Sequence, residues 1–332
     1  MNKSLLIAWF LTALVSLHAA VPVTVAPVRG REGMVVAGHP EAAAAGLAVL
    51  RAGGNAIDAA VATSLALGVA EPYGSGLGGK LMLLHFDAKT GRVTAIDGMD
   101  AAGSVDVTRW IGMPTEERST GYPSVCVPGL AAGLWTAHRR WGIKPWAEVL
   151  QPAIALARGG FEILPKSRDQ FAEQEKKLRR GDAEIARLYL PGGRLPEVGS
   201  RLANEDLART METLAKEGRD GFYKGAVARA IVRASRDAGG WLTSADLENY
   251  EARETTAVVA DFKGYTLFSG PPPTSGSALF LPILKALEAD AEPMAPLRTA
   301  AHLDRLGRIW RAAQPAISRS VGDVPESRFL VE

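Results

Sequence analysis

The sequence predicts an α+β fold, in which helices pack against antiparallel strands. The segment "AIDAAVATSLALGVA" is apolar almost all round, so it is expected to form a buried helix. It is followed by "LMLLHFDAKTGRVTAIDG", which predicts two strands joined by a turn at Lys89-Thr90-Gly91. Such a hairpin requires antiparallel pairing. Amphipathic helical segments then account for much of the remaining chain.

The two N-terminal helices carry clear start and stop signals. An Ala-rich helix over 41–52 ends at a pair of glycines, a common helix stop. Asn55 is then predicted to cap the apolar helix. Asp58 falls in the first turn of that helix, where a carboxylate interacts favourably with the helix dipole. Pro72 and the glycines after it end the helix.

Further helices and strands are predicted beyond the hairpin, without internal repeats or low-complexity linkers. In order they are a buried strand in "YPSVCVPG", a helix beginning near Leu130, a turn at Gly142, a helix from Trp146 to Arg158, a solvated helical face over 166–190, two amphipathic helices over 205–236, a short helix capped by Thr243 or Ser244, a strand over 257–270, a buried helix over 271–288 and a helix over 300–313.

Composition excludes several classes of function. The 332 residues are 47% hydrophobic and 22% charged with a net charge of +2, as in ordinary globular proteins. This near balance, without a basic run, predicts no nucleic-acid partner. The five histidines are scattered and Cys126 is the single cysteine, so we predict no zinc site, no other metal, no cofactor and no disulfide within the chain. Cys126 is expected to be a small residue in a buried strand.

The N-terminus resembles a secretory signal. Residues 1–20 contain Lys3, an apolar run from Leu5 to Leu17, and small residues at Ala19 and Ala20. The run is too short to span a bilayer comfortably, so a cleaved signal peptide is predicted. The mature domain would then cover 21–332. Because no second hydrophobic segment follows, we expect a periplasmic or secreted protein without a membrane anchor.

A glycine-rich loop, "YGSGLGGK", matches two nucleotide-binding patterns only superficially. Gly74, Gly76 and Gly79 spell G-x-G-x-x-G, but that motif must follow a strand and open a helix. Here a helix precedes the glycines and a strand follows. The P-loop pattern also fails, because Leu81 replaces the Ser or Thr that holds Mg²⁺. The loop is predicted to make a tight connection, whose backbone amides could line an oxyanion or carboxylate site.

Several segments together resemble the gamma-glutamyltranspeptidase (glutathione hydrolase) family. They include the helix "GGNAIDAA", the E-P pair and glycine loop after it, "VPGLAAGLWTAHRRWGIKPWAEVLQPAIALARGGFEI", "GRDGFYKGAVARAIV", "GGWLTSADLENY" and "FKGYTLFSGPPPTSGSALFLPILKALE". They occur in the family's order and span nearly all of the predicted mature chain. The resemblance implies an αββα N-terminal-nucleophile hydrolase sandwich, of which this chain holds only the large-subunit portion.

The resemblance also implies a chemistry. In that family a precursor cleaves itself, and the new N-terminal Thr of the small subunit attacks a γ-glutamyl amide with its own amine as base. The Thr-Thr-His type of cleavage segment is absent from this sequence. Thr255-Thr256 precede an alanine and align with an interior strand, so they are not expected to be the nucleophile. We therefore predict no catalytic residue in this chain and a Thr-bearing small subunit as its partner in a heterodimer.

Two departures from the family pattern concern substrate binding. The family's D-x-R-E segment, whose Arg holds the substrate carboxylate, corresponds to Asp97, Gly98, Met99 and Asp100. A methionine offers neither of the two charge-assisted hydrogen bonds of a guanidinium, so the sequence leaves open a γ-glutamyl or a related acyl substrate.

Lys80 also replaces a glycine of the family's loop. It is either a substitute for the lost cation or a solvated surface lysine. The candidate substrate-binding residues are Gly78, Gly79, Lys80 and Asp100.

Two other functions stay open at this level. The first is a non-catalytic relative, a pseudoenzyme or binding module that retains the scaffold; Met99 and the segment 311–323, which lacks the family's Asp-Arg pair, favour it. The second is a serine hydrolase using Ser75. That residue lacks the G-x-S-x-G elbow and an identifiable His partner, and a small residue in a turn explains it more simply.

Overall fold

The computed structural model describes residues 26–289, 296 and 299–320; the predicted signal peptide and the last dozen residues lie outside them. Residues up to Met34 form a separate unit, whose described part has no helix or strand. The larger unit from Val35 contains every helix and strand described below. The helices are α1 (Pro40–Arg51), α2 (Ala56–Ala70), α3 (Val107–Gly112), α4 (Thr115–Ser119), α5 (Leu130–Trp141), α6 (Trp146–Gly159), α7 (Pro165–Arg180), α8 (Ala183–Tyr189), α9 (Glu205–Glu217), α10 (Asp220–Tyr223), α11 (Gly225–Asp237), α12 (Ser244–Glu248), α13 (Ser275–Ala289) and α14 (Ala300–Ser320). The strands are β1 (Leu81–Asp87), β2 (Arg92–Gly98), β3 (Phe161–Glu162), β4 (Arg201–Leu202), β5 (Arg253–Thr256), β6 (Val258–Phe262) and β7 (Tyr265–Ser269).

The cap predicted for α2 is confirmed and forms a reciprocal capping box. The Asn55 side chain accepts hydrogen bonds from the backbone of Ile57 and Asp58, at 2.9 and 3.0 Å. The Asp58 carboxylate in turn accepts from the Asn55 backbone at 2.9 Å. Two otherwise unpaired backbone donors at the helix start are thereby satisfied. As predicted, α2 is buried on nearly all sides, and it packs between α1 and α6.

Antiparallel pairing organises all three described sheets, which confirms the α+β class. In the main sheet the strand order is β1-β2-β5, with Leu83 opposite Ile96 and Asp97 opposite Arg253. The β1–β2 hairpin is the one predicted from the sequence. Two small ladders, β3–β4 and β6–β7, complete the described strands.

The two faces of the main sheet differ in burial. Leu81 packs near Gly133 of α5, and Ile96 is completely buried in the core beneath that helix. On the opposite face of β1, Leu84 and Phe86 are 41% and 62% exposed. Side chains alternate between faces along a strand, so one side of this hairpin is a core surface. The other side carries an exposed apolar patch at Leu84 and Phe86, although Ala95, opposite Leu84, is completely buried.

Two predictions of secondary structure are wrong. "YPSVCVPG" forms a 3-10 turn at Tyr122–Ser124 and a single bridge between Val127 and Ala101, because Pro123 and Pro128 have no N–H to donate to a ladder. Cys126 is therefore half-buried in an irregular segment, and it is not part of a buried strand.

The single strand predicted over 257–270 is the hairpin β6–β7, and β5 precedes it. The helices α3 and α4 have no counterpart in the sequence prediction. The helical segment predicted over 166–190 is the two helices α7 and α8, and α14 ends at Ser320, seven residues beyond its predicted end. The other helices match within a few residues, and Thr243, the first of the two candidates, is the cap of α12.

Candidate functional site

The glycine loop connects the end of α2 to the start of β1, in the order helix, loop, strand. This order confirms that neither nucleotide motif has its required setting. The loop packs tightly on the helix that precedes it: a Cβ added at Gly68 would lie 2.8 Å from the Cα of Gly76. Gly76 itself has φ +150°, and Leu77 is buried. The glycines thus serve close backbone packing.

The last glycine of the loop is held by the start of α5. The Gly79 carbonyl accepts hydrogen bonds from the backbone of Gly129 at 2.9 Å and of Leu130 at 3.0 Å. These two donors belong to the N-terminus of α5, so part of its capacity to bind an anion is already used. Gly78 is exposed, and a Cβ there would meet no atom within 4 Å, so open space lies above it.

Lys80 and Asp100, which the sequence analysis identified separately, form an ion pair. The Lys80 Nζ lies 3.0 Å from an Asp100 carboxylate oxygen, and the two side chains are 52% and 32% exposed. A pair of this exposure contributes less than about 1 kcal/mol to stability. The structure thus brings Gly79, Lys80 and Asp100 together and places Gly78 beside them.

Cys126 lies against the same ion pair. Burial raises the pKa of the Cys126 thiol, the neighbouring Asp100 carboxylate raises it further, and Lys80 opposes this increase. The thiol therefore stays protonated near neutral pH, which argues against a nucleophilic role.

Met99 is held by hydrogen bonds to both of its backbone groups. Its N–H donates to the Asp97 carboxylate at 3.0 Å, and its carbonyl accepts a hydrogen bond from the Tyr250 hydroxyl. The main-chain position is thus fixed while the side chain is an apolar thioether. Among the described residues, an ion pair brings the Lys80 ammonium to Asp100, the residue that follows Met99.

A polar cavity of about 790 Å³ lies beside β5. It is bordered by Asp97, Arg253, Thr255 and Thr256, together with β6 and the turn at Pro271-Pro272. Thr255 and Thr256 sit within a paired strand, Thr256 opposite Thr94.

No metal centre is formed by the described residues: nowhere in them do three or more His, Cys, Asp or Glu side chains come together suitably. None of the helices in the described ranges has the length and apolar character needed to cross a bilayer.

Sequence reasoning missed Tyr223 and Tyr250, whose hydroxyls donate hydrogen bonds to backbone carbonyls of the loops that carry the site. Tyr223 is fully buried and its ring stacks on that of Tyr250, with centroids 5.7 Å apart. No local pattern marks either residue as functional, because their partners are backbone carbonyls of distant segments.

Comparison with solved structures defines the class of protein. The Helicobacter pylori gamma-glutamyltranspeptidase superposes with a TM-score of 0.84 at 27% identity, covering 92% of this chain and 90% of that chain. The fold is therefore that of the gamma-glutamyltranspeptidases and related N-terminal-nucleophile acylases.

The sequence pattern of gamma-glutamyltranspeptidases matches residues 42–328, and this chain belongs to that family. The glutathione hydrolase proenzyme of Bacillus subtilis is 37% identical over 265 residues, covering 78% of this chain and 45% of the relative. The "Acylase ACY 1 proenzyme" of a Pseudomonas species is 38% identical over 274 residues, covering 79% and 49%. The chain spans about half the length of the curated relatives it matches, and that half is the large-subunit region.

Proposed function

We propose that this chain is the large-subunit part of an amidohydrolase that cleaves or transfers γ-glutamyl or related acyl amides. Its Thr nucleophile would come from a second, small subunit. The observation that carries the proposal is a difference in coverage: the chain accounts for 90% of the matched Helicobacter pylori chain but 45% of the Bacillus subtilis proenzyme. If the nucleophile lies in the other half, as the family resemblance implies, this half would depend on a second subunit for it.

The exposed apolar patch of Leu84 and Phe86 on β1 supports a second subunit at that position. Leu84 and Phe86 lie two residues apart on the same face of β1, and both are exposed. Apolar sheet surfaces of this kind are normally covered by another layer of structure. Among the strands that the structure describes, β5 has no partner at its outer edge, which could accept a further strand. A small subunit packed here would complete the αββα sandwich.

The acyl group of the substrate is proposed to bind over the loop formed by Gly78 and Gly79, beside Lys80 and Asp100. The ammonium of Lys80 would attract a substrate carboxylate, and Asp100 would accept from a substrate amine. Met99 supplies no guanidinium, so relatives named acylases are as relevant to the substrate as those named glutathione hydrolases. We further propose a periplasmic or secreted location, from the predicted signal peptide.

The decisive experiment begins with the coding DNA beyond codon 332 and in the adjacent gene. The chain is expressed alone, and together with any Thr-bearing segment encoded there, and hydrolysis of a chromogenic γ-glutamyl anilide and of an acyl anilide is measured. We expect no turnover by the chain alone and turnover on co-expression, abolished when the segment's leading Thr is changed to Ala. Turnover by the chain alone would refute the proposal, and absence of any such segment favours the pseudoenzyme.

The role of Lys80 is tested in the assembled enzyme. Lys80→Ala should raise KM for an anionic acyl donor about tenfold, because one charge-assisted contact is lost, while KM for a neutral acyl donor stays unchanged. Lys89→Ala, in the exposed hairpin turn, is the matched control. An unchanged KM for the anionic donor would leave Lys80 a solvated surface lysine.

A further inference from the structure

Three backbone segments meet beneath the Lys80–Asp100 pair. The segment before β1 is tied to the start of α5 through the Gly79 carbonyl. The segment after β2 is tied to the same region, because Ala101 and Val127 exchange both backbone hydrogen bonds, at 3.2 and 2.8 Å. Each half of the ion pair is therefore carried by a loop anchored to residues 127–130.

The stacked rings of Tyr223 and Tyr250 support this junction, which consists of residues 79, 99–101 and 127–130. The Tyr223 hydroxyl donates to the Pro128 carbonyl at 2.6 Å and accepts from the Ala132 N–H at 3.2 Å. The Tyr250 ring lies nearly parallel to it, at an angle of 10°, and its hydroxyl donates to the Met99 carbonyl. The Arg219 guanidinium lies 4.8 Å from the Tyr223 ring and donates to the Glu248 and Tyr250 carbonyls.

The junction leaves space for the Tyr250 hydroxyl. A Cβ at Gly129 would overlap both this hydroxyl and the Gly98 carbonyl, so the glycine creates the room that the hydroxyl occupies. Burial raises the pKa of Tyr250 to about 12, and the Asp97 and Asp100 carboxylates contribute to the increase. The hydroxyl therefore remains a hydrogen-bond donor at every pH at which the protein would work.

We propose that Tyr250 is a positioning residue, whose hydrogen bond to the Met99 carbonyl holds Asp100 against Lys80. It touches no substrate: it fixes the main chain on one side of the ion pair, while α5 fixes the other side through Gly79. The consequence for catalysis rests on the proposed function, in which Lys80 and Asp100 bind the acyl group. The positioning itself can be measured without activity.

Cys126 provides the reporter, because it is the single cysteine and its thiol faces Asp100 and Lys80. The pH profile of its modification by a chromogenic disulfide reagent measures how close the Asp100 carboxylate lies. Tyr250→Phe keeps the ring stack but removes the hydroxyl, so Asp100 should move away from the thiol. We expect the modification rate at pH 8 to increase about threefold, as the thiol pKa returns toward its ordinary value. Tyr265→Phe, at an exposed ring on β7, should leave the profile unchanged.

A double-mutant cycle separates positioning from general loosening. Asp100→Asn removes the charge, so it should shift the Cys126 profile in the same direction as Tyr250→Phe. In the Asp100→Asn background, Tyr250→Phe should then add nothing, because its effect acts through Asp100. Tyr223→Phe, which releases Pro128 and Ala132, is a second probe of the same junction and should give a shift of the same sign. Circular dichroism confirms that each variant is folded.

Additive effects of Tyr250→Phe and Asp100→Asn, or an unchanged profile in folded Tyr250→Phe, would overturn the proposal. In the assembled enzyme we expect Tyr250→Phe to raise KM with little change in kcat. If the thiol cycle shows full coupling but KM does not change, Tyr250 positions the pair as proposed, and it is the substrate-binding role of the pair that fails.

Discussion

Asp58 and Asp100 are two carboxylates in the same unit with opposite surroundings. Asp58 is completely buried and accepts hydrogen bonds from the backbone of Asn55, Ile143 and Lys144, at 2.9, 3.2 and 3.3 Å. Asp100 is one-third exposed and pairs with the flexible ammonium of Lys80, beside the Cys126 thiol. A carboxylate whose hydrogen bonds are all made within the protein has a structural role and is not available to a ligand. One with free acceptor capacity can exchange its partner for a ligand.

The largest effect is expected at the buried carboxylate. Asp58→Ala leaves three backbone N–H groups without an acceptor and removes the capping box of α2. We expect it to lower the free energy of unfolding by about 3–5 kcal/mol, measured by chemical denaturation. Asp100→Ala is the direct comparison and should cost less than about 1 kcal/mol. Equal losses in the two variants would remove the distinction between them.

The next prediction compares the two faces of the β1–β2 hairpin. Ile96→Ala creates a cavity in the core beneath α5 and should cost about 2–4 kcal/mol. Phe86→Ser, in the exposed patch on the other face, should cost less than about 1 kcal/mol in the separate chain. Sedimentation should also show less self-association of that variant, and co-expression with the proposed small subunit should yield less complex. A large loss of stability in Phe86→Ser would mean that the chain itself covers this face.

A smaller effect is expected from His138, which lies 3.4 Å from Asp58 in the buried region. Burial lowers the pKa of His138 below its ordinary value of 6.5, despite the opposing attraction of Asp58. The unfolded chain therefore takes up this proton first as the pH falls. Stability should be constant above pH 6.5 and decline below it.

Denaturation between pH 7 and about pH 5 measures this dependence, with His138→Gln as the comparison. The variant should lose the histidine's part of the slope. An identical slope in both proteins would show that other groups cause the decline.

The fold was predictable where local signals and burial agree. Asn55 and Asp58 are separated by the spacing of a capping box, and the hairpin of β1 and β2 has apolar strands around a glycine turn. A strand was wrongly predicted at Tyr122–Ser124 because the apolar residues there favour a strand, whereas Pro123 has no N–H to pair in one. The β6–β7 turn was also missed, although Lys263 and Gly264 both adopt positive φ there.

The site was predictable only in part. Lys80 and Asp100 could be selected one by one, but their contact depends on where the start of α5 holds the Gly79 carbonyl. Tyr250 reaches Met99 from a segment distant in sequence. A single sequence carries no signal for such contacts, because a tyrosine that supports a carbonyl looks the same as one that fills a core.

The pairing of β2 with β5 has a consequence for how the chain folds. The β1–β2 and β6–β7 hairpins join neighbouring residues, so each can form quickly and independently. Pairing Asp97 with Arg253 instead closes a loop that contains most of the helices, at a considerable cost in chain entropy. Only Ala257 separates β5 from β6, so the strand that closes the main sheet is joined directly to the β6–β7 hairpin. Synthesis on the ribosome must therefore pass Arg253 before the main sheet can close, and until then β2 exposes an open edge that a chaperone or a second nascent chain can bind.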